Sequence, residues 1–277
     1  MTTQHTPFSV VVPAKDEGTV VERCLSFLAD TAEAEVVVVA NGCADDTADR
    51  ARRTPGVHVV ELAGGGKAAA LNAGDAAVRR FPRVYLDADI VVAPAALRQL
   101  VAVLAQDAGP AVAGLRPEFV VEGRPLVVRL FFSVSRWLPY GSEGVIGCGV
   151  YALNEAGRAR FAAFPAVTAD DLYVERLFRA QEVRLVAGHS FRIETPRTVA
   201  DLLRVRTRVA AGNAELAATG QETFARTTSS TGRALTALVL RRPTSLPGVA
   251  VYLLVTLVSR WRASLSANVW HRDASTR

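Results

Sequence analysis

The stretch RVYLDADIVV, Arg83–Val92, decides how the rest of the chain is read. It begins as an apolar strand and then carries two carboxylates, Asp87 and Asp89, one residue apart. A buried, unpaired carboxylate is costly, so the strand is expected to stop at about Asp87. Pro94 follows, opening PAALRQLVAVLAQ, whose apolar spacing predicts a helix with proline at its first position. The local unit is strand, acidic turn, helix.

The same unit recurs toward the N-terminus. FSVVVPA (Phe8–Ala14) predicts a buried strand, and GTVVERCLSFLADT carries apolar residues at 20, 21, 24, 25 and 28, a helical stripe. AEVVVVANG predicts a second strand, DDTADRARR a helix opened by acids, and GVHVVEL a third strand. Gly64–Gly66 then leads into a helix over about 67–80. This alternation predicts an α/β fold, a mostly parallel sheet flanked by helices in an α/β/α sandwich. Right-handed crossovers put the loops that follow the strands along one sheet edge. PAKDE, ANGCADD, GGGK and DAD are therefore expected to converge on one crevice.

Beyond about residue 110 the alternation weakens. AVAGLRPEFVV predicts a strand, PLVVRLFFSVSRWLPY an amphipathic helix, and TADDLYVERLFRA the start of another helix. EVRLVAG and FRIETP read as a pair of strands. The chain divides on this reading into residues 1–110, residues 111–200 and a basic, partly apolar helical extension over 201–277.

Composition bounds the function. With 277 residues, 50% hydrophobic and 21% charged, the chain can bury a sizeable core and is neither disordered nor fibrous. Cys24, Cys43 and Cys148 are scattered and odd in number, which argues against a disulfide framework or a zinc site. The N-terminus lacks the basic start and long apolar run of a signal peptide, and a cytoplasmic setting is expected. The net charge of +5 is unevenly spread. From Arg197 onward, twelve Arg face Asp201, Glu215, Glu222 and Asp273, giving +8 and leaving −3 for residues 1–196. The basic end suits an anionic partner, a phosphate or a membrane surface. The absence of interleaved aromatic and basic residues excludes nucleic acid. Between Arg242 and Arg260 lie 17 uncharged residues including Pro243, Pro247 and Gly248. That is short of the roughly 20 residues a spanning helix wants. The readings that stay open there are a helix lying on the inner membrane face, a span, and a buried packing helix or homo-oligomer contact.

Two motifs mislead. GGGKAAALNAG has Glu61 and Ala68 where a phosphate loop needs Gly and Ser/Thr. GCGVYA, residues 147–152, spells a dinucleotide fingerprint far from any opening βαβ unit. Asp87 and Asp89 offer hard oxygen ligands of the kind Mg²⁺ or Mn²⁺ takes, against the bland alternative that Asp89 caps the next helix.

Four segments in order, FSVVVPAKDEGTVVERCLSFL, EVVVVANGCADDTAD, GGGKAAALNAG and YLDADI, resemble the nucleotide-sugar glycosyltransferases of family 2, which have the GT-A fold. TADDLYVERLF (168–178) resembles the acidic segment that holds the family's catalytic base, and RVRTRVAAGN the basic segment after it. The resemblance implies a nucleotide-sugar-binding half over 1–110 and an acceptor half with the base over 111–200. It implies that Pro13, Ala14, Lys15 and Glu17, with Asn41, hold the base and ribose, that Gly66 lies by the nucleotide, and that Lys67 lies by the nucleotide or by Asp87. Asp87 and Asp89 would bind a divalent cation and, through it, the diphosphate. Asp171 would be the general base, with Asp170 its rival. Arg204 and Arg208, four apart on one helix face, would aim at phosphate. Gly147, Cys148 and Gly149 would shape the acceptor side. The sequence departs from the family at Ala40-Asn41, where Asp-Asp is frequent, and at Val205 and Val209, which replace the ends of the segment found in processive members. The second departure favours transfer of a single sugar. The implied reaction is an inverting, metal-dependent transfer from a nucleoside diphosphate sugar, a UDP-sugar first, to an acceptor hydroxyl. The acceptor is lipid-linked or a surface-glycan precursor, with a soluble small molecule as the competitor. A sugar nucleotidyltransferase would want a Gly-rich basic loop after the first strand, where this chain has the acidic PAKDEG. A non-catalytic binding protein would have no use for the Asp170–Asp171 pair.

Overall fold

The computed structural model describes residues 6–138, 149–218 and 228–265. Its centre is a seven-stranded sheet in the order β3-β2-β1-β4-β6-β5-β7. The strands are β1 (Phe8–Ala14), β2 (Ala34–Asn41), β3 (Val57–Leu62), β4 (Arg83–Leu86), β5 (Val112–Val120), β6 (Val150–Leu153) and β7 (Val183–Glu194). β1 through β4 are mutually parallel where they pair. The helices between them are α1 (Val21–Leu28), α2 (Thr47–Arg52), α3 (Gly66–Ala77) and α4 (Pro94–Ala105).

The valine runs are explained by burial on both sides. Phe8, Val10 and Val12 of β1 enter one core with Leu25 of α1 and Leu97 of α4. Val11 enters a second core on the opposite face with Leu71 of α3. A strand covered on both faces has no need of polar alternation. The stripe at 20, 21, 24, 25 and 28 is buried as its spacing predicts.

Two features of the second half differ from the expectation. β6 runs antiparallel to both neighbours, β4 and β5, and so breaks the parallel order. The two strands read in EVRLVAG and FRIETP are one strand, β7, paired in parallel with β5 along its length. Between them the register shifts, so that two steps on β5, Gly114 to Arg116, match five on β7, Leu185 to Ser190. Gly188 lies in that irregularity at φ +75°, a conformation that glycine tolerates and that makes it look like a turn in sequence.

Helix α5 (Leu126–Ser135), the single turn α6 (Glu155–Arg158), α7 (Asp170–Arg176), α8 (Val199–Ala218), α9 (Thr228–Arg241) and α10 (Leu246–Leu265) complete the chain. Val128, Phe131 and Val134 of α5, Leu202 of α8 and Tyr252 and Val255 of α10 share a third core. Helix α10 is thus held by one face, while Leu246, Leu253, Leu254, Leu257, Trp261 and Leu265 are exposed. With its preceding turn it covers Pro243–Leu265, long and apolar enough by length and composition to cross a membrane.

Candidate active site

β4 ends at Leu86, and the acids follow in a tight turn closed by the Ile90 amide donating to the Asp87 carbonyl at 3.0 Å. Helix α4 begins with Pro94 and has Ala93 at its N-cap, so Asp89 does not cap it. Instead Asp87 and Asp89 line a cavity of about 510 Å³ at the carboxyl edge of the parallel strands. Pro13, Lys15 and Glu17 reach it from the end of β1, Lys67 from the start of α3, and Asp170 and Asp171 from the start of α7.

Lys67 ties the acids together. Its Nζ lies 2.9 Å from Asp87 Oδ1 and 3.1 Å from Asp170 Oδ1. Burial works against the Lys67 ammonium, but the carboxylates of Asp170, Asp87 and Asp171 outweigh it and hold the pKa well above the ordinary lysine value. Burial pushes the Asp170 carboxyl up to about 7 against the pull of Lys67, and Asp171 is raised in the same direction by the same cause. Asp170 is buried and its Oδ2 has no hydrogen-bond partner among the described residues. Asp171 is half-buried, with Oδ1 accepting from the Leu172 amide at 2.7 Å. Beneath the turn, burial and then Asp89 and Asp87 push the Cys24 thiol up to about 12. The arrangement concentrates negative charge on one wall, which favours a cation, and presents carboxylates able to take a proton.

The flanking loops are braced by one another. Asp16, at φ +53°, accepts the Ala44 amide at 2.7 Å, and Asp45 accepts the Gly18 amide at 3.0 Å. The Glu17 amide donates to Thr47 Oγ1 at 2.7 Å. Asn41 is buried, and its Nδ2 donates to the Gly66 carbonyl at 2.6 Å.

The cavity therefore gathers Pro13, Lys15, Glu17, Lys67, Asp87, Asp89, Gly149, Asp170, Asp171 and Arg208. Ala14, Asn41, Gly66 and Arg204 are outside its lining. Asn41 and Gly66 stand behind it as a bonded pair. Arg204, expected to aim at phosphate, has a side chain that is 59% exposed and pairs with Asp201 at 2.8 Å. At about 3.6 residues per turn, the stripe of α8 that faces the cavity runs through Leu202, Val205, Arg206 and Val209. Arg208 is at the edge of that stripe and Arg204 falls beyond it. Gly149, assigned to the acceptor side, lies directly against Asp87. Gly147 and Cys148 lie outside the described residues. His189 is not among the cavity residues.

Sequence reasoning missed the apolar part of the lining. Phe119 of β5, Phe132 of α5, Ile193 of β7 and Val205 of α8 line the cavity with Arg206 among them, and the fully buried Phe131 and Leu202 back them. The i, i+3, i+7 spacing of 202, 205 and 209 was the available signal.

Open α/β sheets bind ligands in the crevice outside the carboxyl ends of their strands, and here that crevice is acidic. A family model for glycosyl transferase family 2 matches residues 9–153, more than half of the chain. The chain belongs to that family and is a glycosyltransferase of GT-A fold. No relative among curated proteins matches its sequence. Among solved structures it is similar to the mannosyltransferase PcManGT from Pyrobaculum calidifontis in complex with GDP-Man and Mn²⁺, at 20% identity and a TM-score of 0.57, over 96% of this chain and 77% of that one. It is also similar to glucosyl-3-phosphoglycerate synthase from Mycobacterium tuberculosis in complex with phosphoglyceric acid (20%, TM-score 0.52, 76% and 80% of the chains). A third likeness is to S. aureus TarS 1-349 in complex with UDP-GlcNAc (14%, TM-score 0.51, 94% and 92%). At these identities the likeness is one of fold.

Proposed function

We propose that the protein transfers one sugar, with inversion, from a nucleoside diphosphate sugar to an acceptor hydroxyl. The observation that carries this reading is the Asp87–Lys67–Asp170 chain of contacts in one cleft with Asp89 and Asp171. The donor half is residues 1–110, with Pro13, Lys15 and Glu17 on the base and ribose side. A UDP-sugar is the first donor to test; Asn41, buried and bonded to the Gly66 carbonyl, supports that side from behind and does not itself meet the base.

The donor set of Asp87 and Asp89, exposed to the cleft and made of hard oxygens, fits Mg²⁺ or Mn²⁺. Bound there, the cation would neutralise charge gathering on the diphosphate. Lys67 supplies a fixed positive charge beside the same acids, and Arg208 adds a second from α8. Asp171 takes the proton from the acceptor hydroxyl as that oxygen attacks the anomeric carbon. The new glycosidic bond forms as the bond to phosphate breaks, and the nucleoside diphosphate leaves with the electron pair. One displacement with no enzyme nucleophile inverts the anomeric centre. Asp170 holds Lys67 and keeps the ammonium in place. The exposed face of α10, set among arginines, supports peripheral attachment to an anionic membrane surface.

A panel of nucleotide sugars scored for nucleoside diphosphate release tests the reaction. Release is expected with at least one donor, is lost with chelator, and falls at least 100-fold in Asp171→Asn, the lower end of general-base contributions. Release of pyrophosphate, or equal rates in Asp171→Asn, would sink the reading.

A further inference from the structure

The cleft is not lined by charge alone. Phe119, Phe132, Ile193 and Val205, with the fully buried Phe131 and Leu202 behind them, come from four elements, β5, α5, β7 and α8. The two strand residues are register partners at the ends of β5 and β7. The Phe119 and Phe132 rings pack at 4.9 Å and are half-buried, so part of each faces the cavity. Phe131 is fully buried behind them and stacks on Tyr252 of α10 at 5.2 Å, which fixes the wall. A site for a fully hydrophilic acceptor would present hydrogen-bonding groups here, because each unpaired hydroxyl costs binding free energy. Arg206 is set over Phe131 at 5.4 Å, and its Nε has no hydrogen-bond partner among the described residues; Arg208, Asn213 and Glu194 also line the cavity.

We propose that the acceptor subsite takes a hydroxyl carried beside an apolar group, alkyl or aryl, which lies against Phe119, Phe132, Ile193 and Val205 while Arg206 meets an oxygen near it. This rests on the transferase reading, in which the polar wall belongs to the donor. Two sources share the chemistry, an amphiphile held in a membrane and a soluble aryl compound. The connection of the wall to α10 favours the first: α5 and α8 carry it on one side and pack against α10 on the other. The outer face of α10 shows Leu253, Leu254 and Leu257.

Several sugars, each offered free and as its octyl and phenyl β-glycosides below micelle-forming concentration, test the proposal by calorimetry on the full chain with UDP and Mn²⁺ present. At least one glycoside is expected to bind tenfold or more tightly than its free sugar. Preference for octyl over phenyl indicates a membrane-derived acceptor, preference for phenyl over octyl indicates a soluble aryl one, and equal preference for both over the free sugar supports the apolar subsite itself. No preference for any glycoside over its free sugar would overturn the proposal. Val205→Asp is expected to remove the preference, and Ile193→Asn, on a different element, repeats the test should α8 not tolerate the charge. Retention of the preference in both variants, with unchanged melting temperature, also overturns it. Nucleoside diphosphate release without acceptor is scored separately in the unchanged protein. Release of pyrophosphate in its place defeats the transferase reading, whereas nucleoside diphosphate release with no glycoside preference defeats only this one.

Discussion

Gly149 touches Asp87 in two ways. Its carbonyl accepts the Asp87 amide at 2.8 Å, and a Cβ built on it would lie 3.1 Å from Asp87 Oδ2 and 2.8 Å from Ile90 Cγ1. Its φ of +86° is a conformation side chains rarely adopt. Gly149→Ala therefore combines about 1–2 kcal/mol of backbone strain with a push on the Asp87 carboxylate. The expected result is a melting temperature lower by a few degrees and at least a tenfold loss of Mn²⁺-dependent UDP binding by calorimetry. Full retention of binding would show that Asp87 holds its place without that contact. The acids were legible in sequence because a carboxylate in an apolar strand is physically anomalous. The role of Gly149 was not, since it depends on β6 returning beside β4 from 62 residues away. Lysine usage was a further signal: Lys15 and Lys67 are the only lysines among 32 Lys and Arg, and both line the cleft. A compact ammonium fits between two carboxylates where a planar guanidinium would ask for a wider opening.

Helix α3 brings Lys67 to the cleft because the helix can lie close on the sheet. At Gly74 a Cβ would meet Val11 Cγ1 at 2.4 Å and Val39 Cγ2 at 3.2 Å, side chains of β1 and β2. β-Branched side chains are stiff at χ1 and yield little. Alanine would gain up to about 1 kcal/mol of helix propensity but faces overpacking worth about 1–3 kcal/mol. Gly74→Ala is expected to lower the melting temperature by several degrees, and an unchanged or higher value would show that the sheet can yield. One residue further, Asp75 is buried among Arg83, Arg158 and the Tyr85 hydroxyl, so the same helix is also pinned by charge. The elements up to α4 were legible because each is short, strongly periodic and punctuated by Gly, Pro or acids. β6 and β7 were harder. A four-residue strand followed only by the single turn α6 is too short to show a period, and the irregularity at Gly188 carries the composition of a turn inside one strand. The apolar wall was hidden for a related reason: its residues come from four elements and read locally as core.

For the molecule as a whole, charge and apolar exposure coincide at the C-terminal end. Leu254, Leu257 and Trp261 are 62%, 64% and 64% exposed along one face of α10. Arg241, Arg242 and Arg260 are exposed beside or on the same helix, and Arg242 lies over the Trp137 ring at 4.5 Å. An apolar face of this size in water is unfavourable, and arginines at its margin give it a preference for an anionic boundary. Each such cation contributes about 1 kcal/mol near an anionic leaflet and loses it to screening as salt rises. The full chain is expected to sediment with phosphatidylglycerol vesicles at low salt, far less with phosphatidylcholine, and less again as salt is raised. The double variant Leu254→Glu/Leu257→Glu removes the apolar contact and adds repulsion from the anionic leaflet, and should cut vesicle-bound protein at least tenfold. These two side chains are on the side of α10 away from the cleft, so nucleoside diphosphate release in solution should be retained. Failure to sediment with anionic vesicles would reject the membrane assignment, and a concentration-dependent dimer abolished by the same double variant would give the face to a second copy of the chain.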